Sequence, residues 1–449
     1  MGKFFGTDGV RGVANKELTP ELAFRLGRAG AYVLTKERKH NAKIIVGMDT
    51  RISGDMLEAA LIAGICSVGA EAVSLGIIPT PAVAHLVRKY NADAGIVISA
   101  SHNPVNDNGI KFFNYKGFKL RDELELEIED IMENSFDSLP RPIGAEVGVR
   151  SVCETAVDDY VSFLTSVTDV KFDGIKIAID CAEGATYQTA PLALSSLGAQ
   201  LFAIHNEPDG TNINDKCGST HIEELCSYVK EVGADVGLAF DGDGDRCLAV
   251  DENGELVDGD QIMAICGNYL KEQGKLKNDR IVATVMSNLG LMLMGKEKGI
   301  EIVKTNVGDR YVLERMLEEG DTLGGEQSGH IIFLDHNTTG DGICTAIQLI
   351  TVMKKTGKKL SELKKIMEVL PQVLVNAKVA REKKNDYLSN DTIKSEIEKL
   401  EAKFAGEGRV LIRPSGTEPI VRVMIEGRDK AELEKDAKAL ASLIEELLA

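Results

Sequence analysis

The run Asp-Gly-Asp-Gly-Asp-Arg at residues 241–246 constrains this chain more than any other stretch. Asp241, Asp243 and Asp245 alternate with glycine, and Arg246 follows directly. In a flat strand, alternate side chains lie about 6–7 Å apart, too far to share one ion. Glycine lets the backbone curl until the carboxylates converge. Oxygen-only ligation suits a hard cation, above all Mg2+. The adjoining guanidinium suits an arriving anion such as a phosphate. An EF-hand calcium loop competes, because the three aspartates fit its first ligand positions and Glu252 falls at the twelfth. Against it, Arg246 stands where that loop needs glycine, and residues 236–240 read as a short apolar strand instead of a helix. A solvated acidic turn is the plainest alternative.

Around that loop the chain shows a weak threefold pattern. Apolar strands at residues 44–48, 177–179 and 281–285 each end in a small polar turn and a helical stretch. Some 40–60 residues later, a second strand runs into a distinctive loop: residues 99–104, 241–246 and 324–330. Strands alternating with helices imply mixed or parallel α/β sheets, in which ligands bind beyond the carboxyl ends of the strands. Three equivalent loops facing one cleft is the geometric expectation. The last segment differs, reading as strand at 373–375, helix at 391–404, strands at 410–412 and 420–424, and a final amphipathic helix. The fold class is therefore three similar mixed-sheet α/β domains and a smaller α+β C-terminal domain. Boundaries are expected to give residues 1–148, 149–256, 257–370 and 371–449, each joint falling at Pro- or Gly-bearing stretches.

Net charge of −18 without a basic stripe argues against nucleic acid as a partner. An anionic substrate would need positive charge gathered locally against that background. No window approaches 18 uninterrupted apolar residues and the N-terminus lacks an apolar signal core, so neither a membrane partner nor a signal peptide is expected. Eight cysteines are scattered without a Cys-x-x-Cys pair, which fits reduced thiols and a cytoplasmic enzyme.

Ser101 ends an apolar strand, and Asn103-Pro104 forces a turn, so its hydroxyl should project from the loop. The Gly-x-Ser-x-Gly elbow of hydrolases is absent, which leaves serine as a phosphoryl carrier or a turn serine capping its own backbone. Arg413, Ser415, Gly416 and Thr417 join two strands and could cradle a phosphate, with Arg422 further along; a plain β-turn also explains them. Glu326 and Ser328 alternate in a glycine-rich loop suited to sugar hydroxyls, while His330 reads either as a site or as a core histidine.

Together these residues resemble the α-D-phosphohexomutase superfamily, from Gly-Thr-Asp-Gly-Val-Arg-Gly at residues 6–12 to residues 413–419. The N-terminal motif and the Gln327-bearing loop are most similar to its glucosamine-phosphate branch. The resemblance implies a four-domain enzyme with one Mg2+, held by Asp241, Asp243, Asp245 and a phosphate oxygen on Ser101. It implies Ser101 as the phosphoserine, Glu326 and Ser328 on the sugar, and Arg413, Ser415, Gly416, Thr417 and Arg422 on the phosphate that is not reacting. The implied reaction interconverts glucosamine 6-phosphate and glucosamine 1-phosphate through a hexosamine 1,6-bisphosphate. Arg11, Lys111, Arg246 and Arg310 are expected to supply local positive charge. Lys111 is the candidate general acid/base, on the argument that a lysine among cations has a lowered pKa; a solvated loop lysine is the alternative. A phosphomannomutase/phosphoglucomutase of the same superfamily and a Mg2+-dependent phosphomonoesterase are the rival functions. A small phosphosugar is the expected partner, and a homodimer is left open.

Overall fold

A computed structural model of the chain describes residues 2–6, 8–37, 41–404, 406–415 and 419–449. The chain divides into two compact units, Met1–Met286 with Ile302–Lys365, and Ser287–Glu301 with Ile366–Ala449.

The first unit contains one strand arrangement three times. In each, four successive strands lie in the spatial order second, first, third, fourth. The first repeat uses Lys43–Met48, Glu71–Ile77, Ala94–Ile98 and Asp107–Asn114; the first three are parallel and the fourth is antiparallel. The second uses Lys176–Asp180, Gln200–Ile204, Val236–Phe240 and Cys247–Asp251 in the same sense. The third uses Arg280–Thr284, Glu301–Thr305, Leu323–Gly325 and Ile331–Phe333, again with a parallel pair followed by an antiparallel one. Val10–Val13 and Arg150–Val152 extend the first sheet, and Leu256–Val257 extends the second. Ala94–Ile98 and Val236–Phe240 are buried along their whole length, as expected of strands covered on both faces. The threefold pattern in the sequence is thus a repeated fold. Gly324 and Gly325 belong to the strand and not to the loop, because Gly325 pairs with Ile331.

Helix starts follow local chemistry. Thr19 accepts from Leu22 N at the head of Pro20–Thr35, and Asp258 with Gln261 forms a reciprocal capping box at Gly259–Glu272.

The second unit is an antiparallel three-stranded sheet, Gln372–Lys378, Ile420–Glu426 and Arg409–Pro414, with Ile420–Glu426 in the centre. Helices Asp391–Phe404 and Lys430–Leu448 bury Ile393, Leu400, Leu433, Leu440 and Ile444 against it. The helix Leu289–Lys298 belongs here too: Leu289 N donates to the buried Glu426 carboxylate at 2.8 Å. Among the described residues no helix is long and apolar enough to cross a membrane, and all eight cysteines are free.

The first two repeats are joined through the helix Thr80–Lys89, whose His85 ring stacks on Phe163 with centroids 3.9 Å apart. Burial, with Arg88 and Lys89 beside it, pushes His85 from 6.5 down to about 4. Its folded pKa lies below the unfolded value, so the unfolded chain binds the extra proton. The resulting stability is complete above pH 6.5 and is lost as the pH falls towards 4. His85→Phe should therefore lose less stability than wild type between pH 7 and pH 5 in urea unfolding. Equal losses in the two proteins would contradict the assignment.

Candidate active site

The three special loops occupy one topological position, each linking the third strand of its repeat to the antiparallel fourth. They also meet in space. Ser101 Oγ donates to Asp241 Oδ2 at 2.8 Å, His330 Nδ1 lies 3.3 Å from Asp245 Oδ2, and Cys247 N donates to Gly329 O at 3.0 Å. Ser101 has a left-handed backbone, φ 54°. Gly242 lets the aspartate loop approach this close: a Cβ there would lie 2.6 Å from Ser101 O and 2.7 Å from Asn214 Nδ2.

Asp241, Asp243 and Asp245 are buried, with ligand oxygens within 4.8 Å of one another. Burial excludes the solvated turn. The EF-hand reading fails as well, because Glu252 accepts hydrogen bonds from Ser361, and the strand Cys247–Asp251 follows the loop directly. Burial and the two neighbouring carboxylates push Asp241 well above the usual carboxylate range. Burial also disfavours ionised Asp243, but the Lys111 ammonium and the Thr80 hydroxyl outweigh it and hold that group low. Asp243 Oδ1 and Asp245 Oδ1 are buried and accept no hydrogen bond. Buried anionic oxygens without donors are costly unless something positive meets them. The residues therefore fit a hard divalent cation.

A second cluster, Asp180, His205 and Cys217, gathers equally closely. There Asp180 is satisfied by Ala182 N at 2.8 Å, Gly218 N at 2.9 Å and the His205 ring at 3.0 Å. It is a hydrogen-bonded anchor for the loop between its members.

Lys111 departs from expectation. It sits on the strand Asp107–Asn114, 1% exposed, with Nζ 2.9 Å from Asp243 and 3.0 Å from Asp8. Burial would lower its pKa, but these two carboxylates raise it. It is not a solvated loop lysine; the cations expected near it are there in Arg11 and Lys119, but the two carboxylates outweigh them and it holds its proton. Arg11 pairs with Asp8 at 2.5 Å. Arg246 lies 4.0 Å from Asp241 and 3.9 Å from Asp245, beside the three carboxylates. His330 is buried yet belongs to the site: Nε2 accepts from Gly340 N at 3.1 Å while Nδ1 faces Asp245. Glu326 Oε1 accepts from Gly308 N at 3.1 Å, and Ser328 is exposed. Arg310 pairs with Asp122 and Glu314, so its charge is largely compensated.

Several groups here had no motif to announce them. Lys119 bridges Asp8 and Asp309 at 2.6 Å each, and Thr80 Oγ1 donates to Asp243 at 2.7 Å. Asp8 lay inside the N-terminal motif; Lys119, Asp309 and Thr80 have only tertiary position to mark them.

In the second unit, Arg413 and Arg422 are direct cross-strand partners, which sets two arginines opposite each other on neighbouring strands. Lys384 Nζ donates to Ser415 O, adding a third cation. Gly416 and Thr417 lie outside the described residues.

Residues 2–138, 158–254 and 258–370 match phosphoglucomutase/phosphomannomutase alpha/beta/alpha domains I, II and III, and residues 374–443 match the C-terminal domain of that family. The chain is 65% identical over 445 residues to a phosphoglucosamine mutase of Ruminiclostridium cellulolyticum, covering 99% of each. It is 64% identical over 448 residues to that of Acetivibrio thermocellus, covering 100% of each. Among solved structures, a phosphoglucomutase/phosphomannomutase family protein from Burkholderia thailandensis matches with TM-score 0.81 at 23% identity, over 99% of this chain and 97% of that one. Aspergillus fumigatus N-acetylphosphoglucosamine mutase, in complex with GlcNAc-6P and magnesium, matches with TM-score 0.72 at 17% identity, over 100% and 96%. At these identities the structures speak to the fold alone.

A cation that binds only the folded carboxylate cluster must raise stability, by about 2.7 kcal/mol at a hundredfold excess over Kd. Added MgCl2 should raise the melting midpoint of wild type by several degrees and that of Asp243→Asn by much less. A wild-type midpoint indifferent to divalent cations would remove the cation reading.

Proposed function

The chain belongs to the phosphoglucomutase/phosphomannomutase family, and on that premise we propose that it interconverts glucosamine 6-phosphate and glucosamine 1-phosphate. The observation that supports this most is Ser101 Oγ, 2.8 Å from the first of three buried aspartates. The choice of glucosamine rests on full-length relatives named phosphoglucosamine mutase at 60–65% identity. A hydroxyl alone makes a poor phosphoryl carrier at neutral pH; beside a cation-binding carboxylate cluster it becomes a practical one.

In this reading Ser101 begins the cycle phosphorylated. The phosphoryl group leaves Ser101 Oγ for O1 of glucosamine 6-phosphate, and the O1 proton ends on Ser101 Oγ. The hexosamine 1,6-bisphosphate so formed reorients and returns its 6-phosphoryl group to Ser101 Oγ, and the Ser101 hydroxyl proton ends on O6. Mg2+ bound by Asp241, Asp243 and Asp245 would supply Lewis-acid neutralisation of phosphoryl oxygens. Lys111, held protonated by Asp243 and Asp8, is suited to offset charge on the transferring group and not to accept a proton. Arg11 and Arg246 add positive charge beside it. Glu326 and Ser328 are assigned to sugar hydroxyls, and His330, which faces Asp245, is assigned to the substrate with them. Arg413, Ser415 and Arg422 are assigned to the phosphate that is not reacting. Gln327 hydrogen-bonds Asp258, so it supports the loop from behind.

Wild type should show an intact mass one phosphoryl group above the sequence mass, and glucosamine 6-phosphate should be isomerised in preference to glucose or mannose 6-phosphate. Ser101→Ala should lose both the added mass and, by several orders of magnitude, the turnover. Release of free phosphate without isomer would favour a phosphomonoesterase, and equal efficiency on mannose or glucose phosphates the sister branch.

Arg422→Ala removes a charge-assisted contact worth about 1.5–3 kcal/mol. KM should rise and more bisphosphate should escape before its second transfer, with partial recovery on adding a hexose 1,6-bisphosphate. Unchanged KM and no leakage would mean that the substrate phosphate is held elsewhere.

A further inference from the structure

The backbone of Ser101 is captured at both ends by groups that take no part in the reaction. Its N–H donates to Ser99 Oγ at 3.0 Å, and Ser99 in turn donates to the buried Asp49 carboxylate. Its carbonyl accepts from Asn214 Nδ2 at 2.9 Å and from Arg51 Nη2 at 3.3 Å. The same two donors reach the carbonyl of Asn103, Asn214 at 3.0 Å and Arg51 at 2.5 Å. Arg51 is 2% exposed and its other terminal nitrogen pairs with Asp49, which closes the circuit back to Ser99.

Two loops, residues 181–185 and residues 205–217 with Asn214 in the second, are themselves held under strain. Ala182, Glu183, His205, Asn214 and Lys216 all have positive φ, which is half of the ten non-glycine residues so recorded in the described chain. Such conformations persist only where the surroundings over-determine them, and they concentrate at functional sites. Here the determinants are visible: Asn214 N donates to Ala182 O, Gly218 N donates to Asp180, and Thr50 Oγ1 donates to Glu183 O. Ile52 N donates to Gly210 O, so the residues on either side of Arg51 grip one of these two loops each.

We propose that Asn214 and Arg51 are positioning residues for the phosphoryl-carrying hydroxyl: by capturing the carbonyls of Ser101 and Asn103 they hold Ser101 in its left-handed conformation and so aim Oγ at Asp241. Arg51 acts from the first repeat and Asn214 from the second, so the nucleophile is aligned with the carboxylates only when those two repeats are docked. The inference rests on Ser101 being the phosphoryl carrier.

Rapid-quench transfer from 32P-labelled phosphoenzyme to glucosamine 6-phosphate tests it. Asn214→Asp keeps the shape and the tolerance for positive φ but removes the amide donors; Asn214→Gly removes them without adding charge. Loss of alignment by a fraction of an ångström to one ångström should slow transfer about 10- to 100-fold. KM and the MgCl2-induced shift in melting midpoint should stay near wild type. Ser99→Ala, which frees the Ser101 N–H, should slow transfer in the same way and provides the reading if neither Asn214 variant folds. Arg51→Lys should recover more of the rate than Arg51→Met. A folded variant that transfers at the wild-type rate overturns the proposal, and so does a slowed rate matched by an equal rise in KM, which would mean a generally loosened cleft. If wild type carries no phosphoryl group on Ser101 and forms no isomer, it is the functional reading that has failed.

Discussion

Three carboxylates buried in one turn repel one another, and much of what surrounds them is arranged to offset that repulsion. Burial alone would favour the protonated form of Asp241 and of Asp243 over the charged one. The chain holds Asp243 ionised by threading Lys111 along a buried strand until its ammonium touches the carboxylate. It leaves one oxygen of Asp243 and one of Asp245 without a donor. The cluster is therefore tuned to be incomplete. Asp8, Lys119 and Asp309 extend the same logic outwards as a chain of alternating sign that reaches from the N-terminal segment to the third repeat.

That chain also explains how a strongly acidic protein can receive an anionic sugar phosphate. Its overall charge of −18 gives no attraction at long range. Arg11, Lys111, Lys119 and Arg246 are instead concentrated where the three repeats meet, and their carboxylate partners hold them in place. Removing a carboxylate there would disturb the cation it orients as much as the metal site it helps to form.

The sequence made the aspartate loop legible because its chemistry is contiguous: three ligands and their glycine spacers lie within six residues. The repeats were legible because buried parallel strands appear as uninterrupted apolar runs, as at residues 94–98 and 236–240. The residues that hold the site's own side chains in place were not. Lys119, Asp309, Arg51 and Asn214 come from four separate segments, and only the fold brings them together. Lys111 was misread for a related reason. The cations expected around it are there in Arg11 and Lys119, but its ammonium touches Asp8 and Asp243, and those carboxylates decide the direction of its pKa. The strand boundary at Gly324 was missed because glycine carries no β signal, and only pairing with Ile332 reveals it.

The left-handed backbone at Ser101 narrows the residue alphabet at that position. Threonine offers the same hydroxyl and, on chemical grounds alone, could carry a phosphoryl group as well as serine does. Its second Cβ substituent makes a φ of this sign a genuine outlier. Cysteine would fit sterically but replaces a hard oxygen with a sulfur that a hard cation avoids. Between a backbone that rejects branching and a cation-binding cluster that rejects sulfur, serine is the one of these three side chains that meets both demands. Among the three, the shape of the turn and the hardness of the neighbouring oxygens select serine before any reaction exerts a choice.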